Sequence, residues 1–169
     1  MGKQHCQDLL NFLQPYGQDI TEKVMCLRDF AWNLCPEANE LIYDNYNALA
    51  VGWSLTDKLG STVCSIAVGR TSNNIHFGFY RGNELTDPAN ILLGNGNQYR
   101  YILVHALADF PKAAIKQMVG QAYANALARI KNKAELKNGL TIVKSVSEKK
   151  RTRKSKVPAV SKHSKTAKN

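Results

Sequence analysis

Residues 47–80, NALAVGWSLTDKLGSTVCSIAVGRTSNNIHFGFY, decide the fold, because their apolar residues follow a period of two. At the start of this stretch large side chains alternate with small ones. The large residues are Leu49, Val51, Trp53 and Leu55, and the small ones are Ala48, Ala50, Gly52 and Ser54. Since the side chains of a β-strand alternate between its two faces, this pattern predicts a strand with one large-residue face and one small-residue face.

Two more strands are predicted in the same stretch, over residues 63–69 and 75–80. The two faces of the second strand hold Ile75, Phe77 and Phe79 on one side and His76, Gly78 and Tyr80 on the other. The connections between the strands are short and rich in turn-forming residues. Short turns join antiparallel neighbours, so the stretch predicts a three-stranded antiparallel meander.

Helical spacing of apolar residues occurs on both sides of the meander. One predicted helix begins at Asp19 and ends before Pro36, and the longest begins at Phe110 and Pro111 and runs to Ile130. Shorter predicted elements are a helix over residues 9–13, helical turns over residues 39–43 and 88–93, and a strand over residues 98–104.

The predicted fold class is α+β, with an antiparallel sheet of about four to five strands. The N-terminal helices and the long C-terminal helix are expected to pack on one face of this sheet. The length of 169 residues fits a single domain. We expect that domain to occupy residues 1–138 and to be followed by a disordered tail rich in Lys and Arg, residues 139–169.

Almost all of the net charge of +10 lies near the C-terminus. Residues 144–169 contain eight Lys, two Arg and one Glu, a net charge of +9, whereas residues 1–143 contain 13 basic and 12 acidic residues, a net charge of +1. The tail has no aromatic residue and no regular apolar period, so its burial cannot offset the entropy lost on ordering.

The densest basic cluster of the tail consists of Lys149, Lys150, Arg151, Arg153, Lys154 and Lys156. Such a cluster suits polyanions, because Lys and Arg displace counterions from a phosphate backbone in a salt-sensitive way that does not depend on sequence. We therefore predict nucleic acid or another polyanion as a partner of the tail. The alternative is a tail that only increases solubility.

The sequence predicts a cytoplasmic protein that does not enter the membrane. No run approaches the roughly 18 apolar residues that a membrane span requires, and the N-terminus lacks the cleavage site of a secretion signal. The four cysteines form no CxxC pair, which favours reduced thiols over disulfides.

Several blocks of the chain resemble, in the same order, the YdhG-like family of small bacterial domains. The resemblance covers about residues 36–124 and is carried by PEANELIYDNYNALAVGWS (36–54), SIAVG (65–69), HFGFYRGNELTDP (76–88), ILLGNGN (91–97) and Arg100. That family is a domain of unknown function, and the resemblance implies a compact α+β domain with an antiparallel sheet and flanking helices.

One branch of the same family resembles frataxin and is proposed to act as an intracellular iron chaperone, so iron is implied only by analogy. Related sequences often have a Gly-x-Gly-Lys turn and a later Arg-His pair. This chain has Asn97 after Gly94-Asn95-Gly96, and Tyr101 after Arg100, so it lacks the corresponding Lys and His. We predict no cofactor and no metal site, because the Cys and His residues also lack zinc-ligand spacing.

The sequence contains no recognisable catalytic set, since it has no GxSxG elbow, no Cys/His signature and no P-loop. The best candidate ligand-binding site combines Trp53, His76, Tyr80, Arg81 and Arg100, with Tyr43 and Tyr46 close in sequence. Aromatic walls and an arginine would suit a groove for a ligand with an anionic group. The alternative interpretation is an ordinary solvated sheet face.

The function that we predict is a non-enzymatic binding or chaperone-like domain for an unknown small ligand or protein. A first alternative is a nucleic-acid-associated protein that acts through its tail. A second is an enzyme with an unrecognised site, for which Arg81, His76 and Arg100 would be the first residues to replace.

Overall fold

A computed structural model describes residues 6–136 and 139–152. Its helices are α1 (Gln7–Leu13), α2 (Gln18–Leu34) and α3 (Lys112–Arg129). Its strands are β1 (Asn39–Asp44), β2 (Ala48–Ser54), β3 (Thr62–Gly69), β4 (Ile75–Phe79), β5 (Arg100–Leu103) and β6 (Thr141–Val146). Single turns of 3-10 helix lie at Gln14–Tyr16, Leu59–Ser61, Gly82–Glu84, Leu107–Asp109 and Lys133–Glu135.

The six strands form one sheet in the order β5-β4-β3-β2-β1-β6. Neighbouring strands from β1 to β5 are antiparallel, whereas β6 lies parallel to β1. The predicted α+β class and the antiparallel meander are therefore confirmed. The sheet has more strands than predicted, and it is mixed rather than purely antiparallel because β6 joins its edge.

The large-residue faces of the central strands form the core together with the helices. Val51, Ile66 and Phe77 are almost completely buried, and they belong to the same apolar cluster as Leu27 of α2 and Ile115 of α3. Aromatic rings fill the space between sheet and helices, with the rings of Phe30 and Phe110 in edge contact with Phe77. This packing explains why the apolar residues of β2 to β4 alternate, since only one face of these strands meets the helices.

The segment from residue 39 to residue 43 is a strand, so the predicted helical turn is wrong. Both faces of β1 are buried, and its polar residues Asn39, Glu40 and Asp44 are buried as well. A strand of this kind shows no alternation of apolar and polar residues, because partners elsewhere in the chain satisfy its polar groups.

The predicted helical turns over residues 88–93 are also wrong. The carboxylate of Asp87 accepts hydrogen bonds from the amides of Ile91 and Leu92, at 3.0 and 2.8 Å. Asn90 has a positive φ of 51°, and Leu93 pairs with Tyr101 in an isolated bridge. These contacts hold the segment in a turn followed by extended backbone rather than in a helix.

The folded region extends beyond the predicted boundary at residue 138, because residues 141–146 form β6 although we expected disorder from residue 139. An edge strand is held mainly by backbone pairing, and the side chains of β6 are exposed or half-buried. The sequence of β6 therefore lacks the alternation of apolar and polar residues from which a strand is predicted. The disorder predicted for residues 153–169 lies outside the described residues.

None of the helices in residues 6–136 and 139–152 combines the length and the apolar character that crossing a bilayer requires.

Candidate ligand-binding site

The face of the sheet opposite the helices has small residues at its centre and rings at its sides. The strand register aligns Tyr43, Ala50, Ala67 and His76 in one row across β1 to β4. A second row contains Gly52, Ser65, Gly78 and Tyr101 across β2 to β5. Because the central side chains are so short, the surface of the sheet has a depression between the aromatic residues.

The result is an apolar hollow of about 310 Å³. Its floor is formed by Ala50, Gly52, Ser65 and Ala67, its walls by Tyr43, His76, Tyr80 and Tyr99, and one end by Leu59 and Thr62. This volume lies at the lower end of the range for small-molecule pockets in proteins. We call this feature the tyrosine hollow.

The wall on the β5 side is a stack of three rings. Tyr101 lies parallel to His76 at a centroid distance of 4.0 Å and against Tyr99 at 5.7 Å. Tyr99 covers Gly78 so closely that a Cβ atom at residue 78 would overlap the phenol, so any larger residue there would displace the ring. Burial raises the pKa of Tyr99 although a hydrogen bond with Ser65 opposes the rise, which keeps the phenol neutral at physiological pH.

Polar groups of the tyrosine hollow are few. Thr62 is buried, and its Oγ1 has no hydrogen-bond partner among residues 6–136 and 139–152. This oxygen lies 3.7 Å from the position that a Cβ atom on Gly52 would occupy, so it borders the floor of the hollow. The Oγ1 atom is itself buried, and a buried hydroxyl without a partner costs roughly 1–3 kcal/mol.

His76 and Tyr80 line the tyrosine hollow, where the alternation of β4 places them. The inclusion of Trp53 in this surface is wrong, because Trp53 lies on the helix side of β2. Its side chain is 0% exposed, and its ring is in edge contact with Trp32 at 6.1 Å. Trp53 shares its face with Leu49 and Val51, as the large-residue pattern of β2 itself indicates.

The two arginines of the predicted site lie apart from the tyrosine hollow. Arg81 contacts Glu84 at 3.4 Å and borders a crevice between β4 and α3. Arg100 donates to the carbonyl oxygens of Gly96 and Tyr99, at 2.7 and 2.8 Å. The structure therefore does not bring a guanidinium group together with His76 and Tyr80.

The part of the basic cluster that the structure describes contacts the turn between β1 and β2. Lys150 donates to the carboxylate and to the backbone oxygen of Asp44, both at 2.5 Å. The backbone N–H of Arg151 donates to the oxygen of Tyr46 at 2.9 Å. Lys149 is exposed. The other members of the predicted cluster, Arg153, Lys154 and Lys156, lie outside the described residues.

Sequence reasoning missed Tyr99, Thr62 and Leu59 as components of the site. Tyr99 and Tyr101 have the spacing of a strand, which was the available signal for a ring pair on one face. Leu59 lies in the connection between β2 and β3, and Thr62 is the first residue of β3, so neither pattern nor spacing distinguishes them from turn residues.

The cysteines and the other residues of metal-binding type do not form a metal site within the described residues. No group of three His, Cys, Asp or Glu side chains there could hold a metal ion. The Cys64 thiol is buried beside Cys35, and their hydrogen bond together with burial raises the pKa of Cys64 well above its ordinary value. A thiol of this kind stays protonated and packs in the core.

Comparison with known proteins found no matching family model, curated protein or solved structure. The resemblance to the YdhG-like family therefore stays a prediction.

The stability of the fold is expected to depend on His76 as the pH falls. Burial lowers the pKa of His76 below its ordinary value, so the unfolded chain takes up this proton at a higher pH than the native state. The free energy of unfolding should then decrease as the pH falls below about 6.5. Urea unfolding between pH 7.5 and pH 5 should show a smaller decrease for His76→Gln. The same decrease in His76→Gln and in the parent protein would contradict this assignment, and His105→Gln, at an exposed position, is the control.

Proposed function

We propose that this protein is a non-enzymatic binding domain whose ligand occupies the tyrosine hollow. The proposal rests on the arrangement of small and aromatic residues on the open sheet face. The short side chains of Ala50, Gly52, Ser65 and Ala67 lie side by side there and leave a depression between aromatic walls. Ligand sites are typically concave and mostly apolar, with a small number of polar groups that fix orientation. The hollow therefore favours a ligand with a flat, apolar part and at least one hydrogen-bonding group.

The chemistry of the lining residues favours binding over catalysis. Burial raises the pKa of Tyr43 and lowers that of His76, so both are neutral at physiological pH. No carboxylate is among the residues that line the hollow. Neutral phenols and a neutral imidazole can stack on a flat ligand and hydrogen-bond to it, and the lining offers no carboxylate to orient the imidazole as a catalytic base.

Filling the floor of the hollow should abolish ligand binding. Ala67→Leu places a larger side chain between Tyr43 and His76 and occupies the space that a ligand would need. Thermal unfolding of the parent protein with nucleosides, nicotinamide and indole should identify a compound that raises the melting temperature. A ligand whose free concentration is 100 times its dissociation constant raises the free energy of unfolding by about 2.7 kcal/mol. This increase should be lost in Ala67→Leu.

The matched control is Ala113→Leu, which makes the same change at an exposed position of α3 on the helix side of the sheet. This variant should keep the full increase in melting temperature. A ligand that stabilises Ala67→Leu as strongly as the parent protein binds elsewhere, and that result would contradict the proposal.

A second candidate function is association with polyanions through residues 144–169, favoured by their net charge of +9. Binding of this kind weakens steeply with salt. It does not require the tyrosine hollow, so Ala67→Leu separates the two functions.

A further inference from the structure

We infer that the tyrosine hollow and the start of the basic tail form one binding site for single-stranded nucleic acid. In this arrangement unpaired bases enter the hollow, and the phosphates follow the basic residues at the sheet edge. The inference rests on the proposed function, because it names the ligand class of the same hollow and adds the tail to the site.

Strand β6 brings the start of the tail to the wall of the hollow. Tyr43 forms this wall, and its backbone is aligned with Ser145 of β6. After β6 the chain is held at the neighbouring turn by the contacts of Lys150 with Asp44 and of Arg151 with Tyr46. Because the Asp44 carboxylate lies on the helix side of the sheet, these contacts place the chain at the turn that follows Tyr43, and the basic residues leave the sheet at that turn.

The strands place no carboxylate on the open face of the sheet. Strands β2 to β6 contain no Asp or Glu. The two acidic residues of β1, Glu40 and Asp44, pair across the sheet with Trp53 and Leu49, which places them on the helix side. A phosphate backbone would therefore meet no carboxylate from these strands.

The exposed basic residues of β6 and of the segment that follows it supply positive charge that is complementary to phosphate. Lys144, Lys149 and Arg151 are all exposed, and only Glu148 opposes them in residues 144–152. They provide a cationic path that begins at the turn after Tyr43. Single-stranded nucleic acids are held by this combination of a cationic path and aromatic side chains on which bases stack.

The exposed rings favour single strands over duplexes. Tyr46 is 48% exposed at the turn next to Asp44, and Tyr43 and His76 are half-buried on the two sides of the hollow. Unpaired bases can stack on such rings and present their edges to polar groups of the lining. The bases of a duplex are already stacked and paired inside the helix, so a duplex could engage only the basic tail.

Fluorescence anisotropy of the full chain with a labelled oligonucleotide of about 12 nucleotides tests the inference. The probes are single-stranded DNA and RNA of mixed sequence and the duplex of the same sequence. We expect single strands to bind at least about fivefold more tightly than the duplex, because each stacked base contributes roughly a five- to hundredfold gain in affinity.

Variants of the hollow should affect single strands alone. Ala67→Leu and Tyr43→Ala should each weaken single-strand binding by roughly five- to hundredfold and leave duplex binding unchanged. Tyr43→Phe keeps the ring and should bind within about twofold of the parent protein. Unchanged thermal unfolding of Tyr43→Ala and of Ala67→Leu would show that a loss of binding does not come from unfolding.

A variant of the tail should affect both probes. Lys149→Gln combined with Arg151→Gln should weaken binding to single strands and duplex alike, and it should reduce the slope of log affinity against log salt by about 1.4 for single strands. A preference for single strands that the hollow variants abolish would support the inference.

Two results would overturn the inference. Equal affinity for single strands and duplex, unaffected by Ala67→Leu and Tyr43→Ala, would mean that the tail alone binds polyanions. Failure of every oligonucleotide to bind would also overturn it, but the proposed function would stand if nucleosides, nicotinamide or indole still stabilised the parent protein and not Ala67→Leu.

Discussion

Replacing Arg28 by Ala is expected to lower the free energy of unfolding by about 3–5 kcal/mol. Arg28 of α2 donates from Nε to Oε1 of Glu40 at 2.6 Å and from Nη2 to Oε2 at 2.9 Å. Their side chains are 1% and 0% exposed. Removal of the guanidinium would leave the Glu40 carboxylate charged in a buried site between helix and sheet. A hydrogen bond from Thr141 of β6, at 2.8 Å, would be too weak to replace the lost charge.

Urea unfolding at neutral pH measures this effect, and two further variants define its origin. Arg28→Met combined with Glu40→Leu removes both charges and should recover most of the loss, because no uncompensated ion then remains buried. Lys23→Ala removes an exposed i,i+4 pair with Asp19 on the same helix and should cost less than about 1 kcal/mol. A loss in Arg28→Ala as small as that in Lys23→Ala would contradict the burial of the pair.

The contrast between β2 and β1 shows which parts of the fold can be predicted from the sequence. In β2 one face packs on the helices and the other is open, so large and small residues alternate and the strand is evident. In β1 the buried Glu40 and Asp44 are satisfied by Arg28, Arg70 and Lys150, which are distant in sequence. A pattern confined to neighbouring residues carries no information about such partners, and a strand was mistaken for a helical turn.

The candidate site could also be predicted only in the part that depends on alternation within single strands. The alternation of β2 and β4 indicates a small-residue face and places His76 and Tyr80 on it. The depth of the hollow depends on contacts between strands, such as Tyr99 lying over Gly78, and these follow from register rather than from local sequence. Arg100 is a residue type suited to anions, but backbone oxygens nearby accept its hydrogen bonds.

Asp44→Asn is expected to lower the free energy of unfolding by about 3 kcal/mol and to loosen β6. The Asp44 carboxylate is buried, and it accepts hydrogen bonds from Arg70 of the connection between β3 and β4 and from Lys150 after β6. Asparagine has nearly the same shape but no charge. The variant would keep an Oδ1 that can accept from Arg70, but it would remove the negative charge beside the buried guanidinium and turn an amide NH2 toward the Lys150 ammonium.

The measurement combines urea unfolding with hydrogen exchange of residues 141–146. These amides should exchange faster in Asp44→Asn than in the parent protein by a larger factor than those of β3, since edge segments open locally without global unfolding. Lys150→Gln keeps the pair of Asp44 with Arg70, so it should speed the exchange of β6 at a stability cost of at most about 1 kcal/mol. Asp57→Asn, at an exposed position, is the control and should stay within about 0.5 kcal/mol of the parent protein.

The two variants together decide whether the tail is part of the folded unit. Because Asp44 follows Tyr43 directly, a contact that holds β6 and Lys150 at Asp44 also holds the start of the basic tail beside the tyrosine hollow. If exchange in β6 were unchanged in both Asp44→Asn and Lys150→Gln, the contact with Asp44 would not be what holds the strand. If hydrogen exchange in β6 became faster in both variants while the amides of β3 exchanged as slowly as in the parent protein, the attachment of the tail would depend on the carboxylate of Asp44.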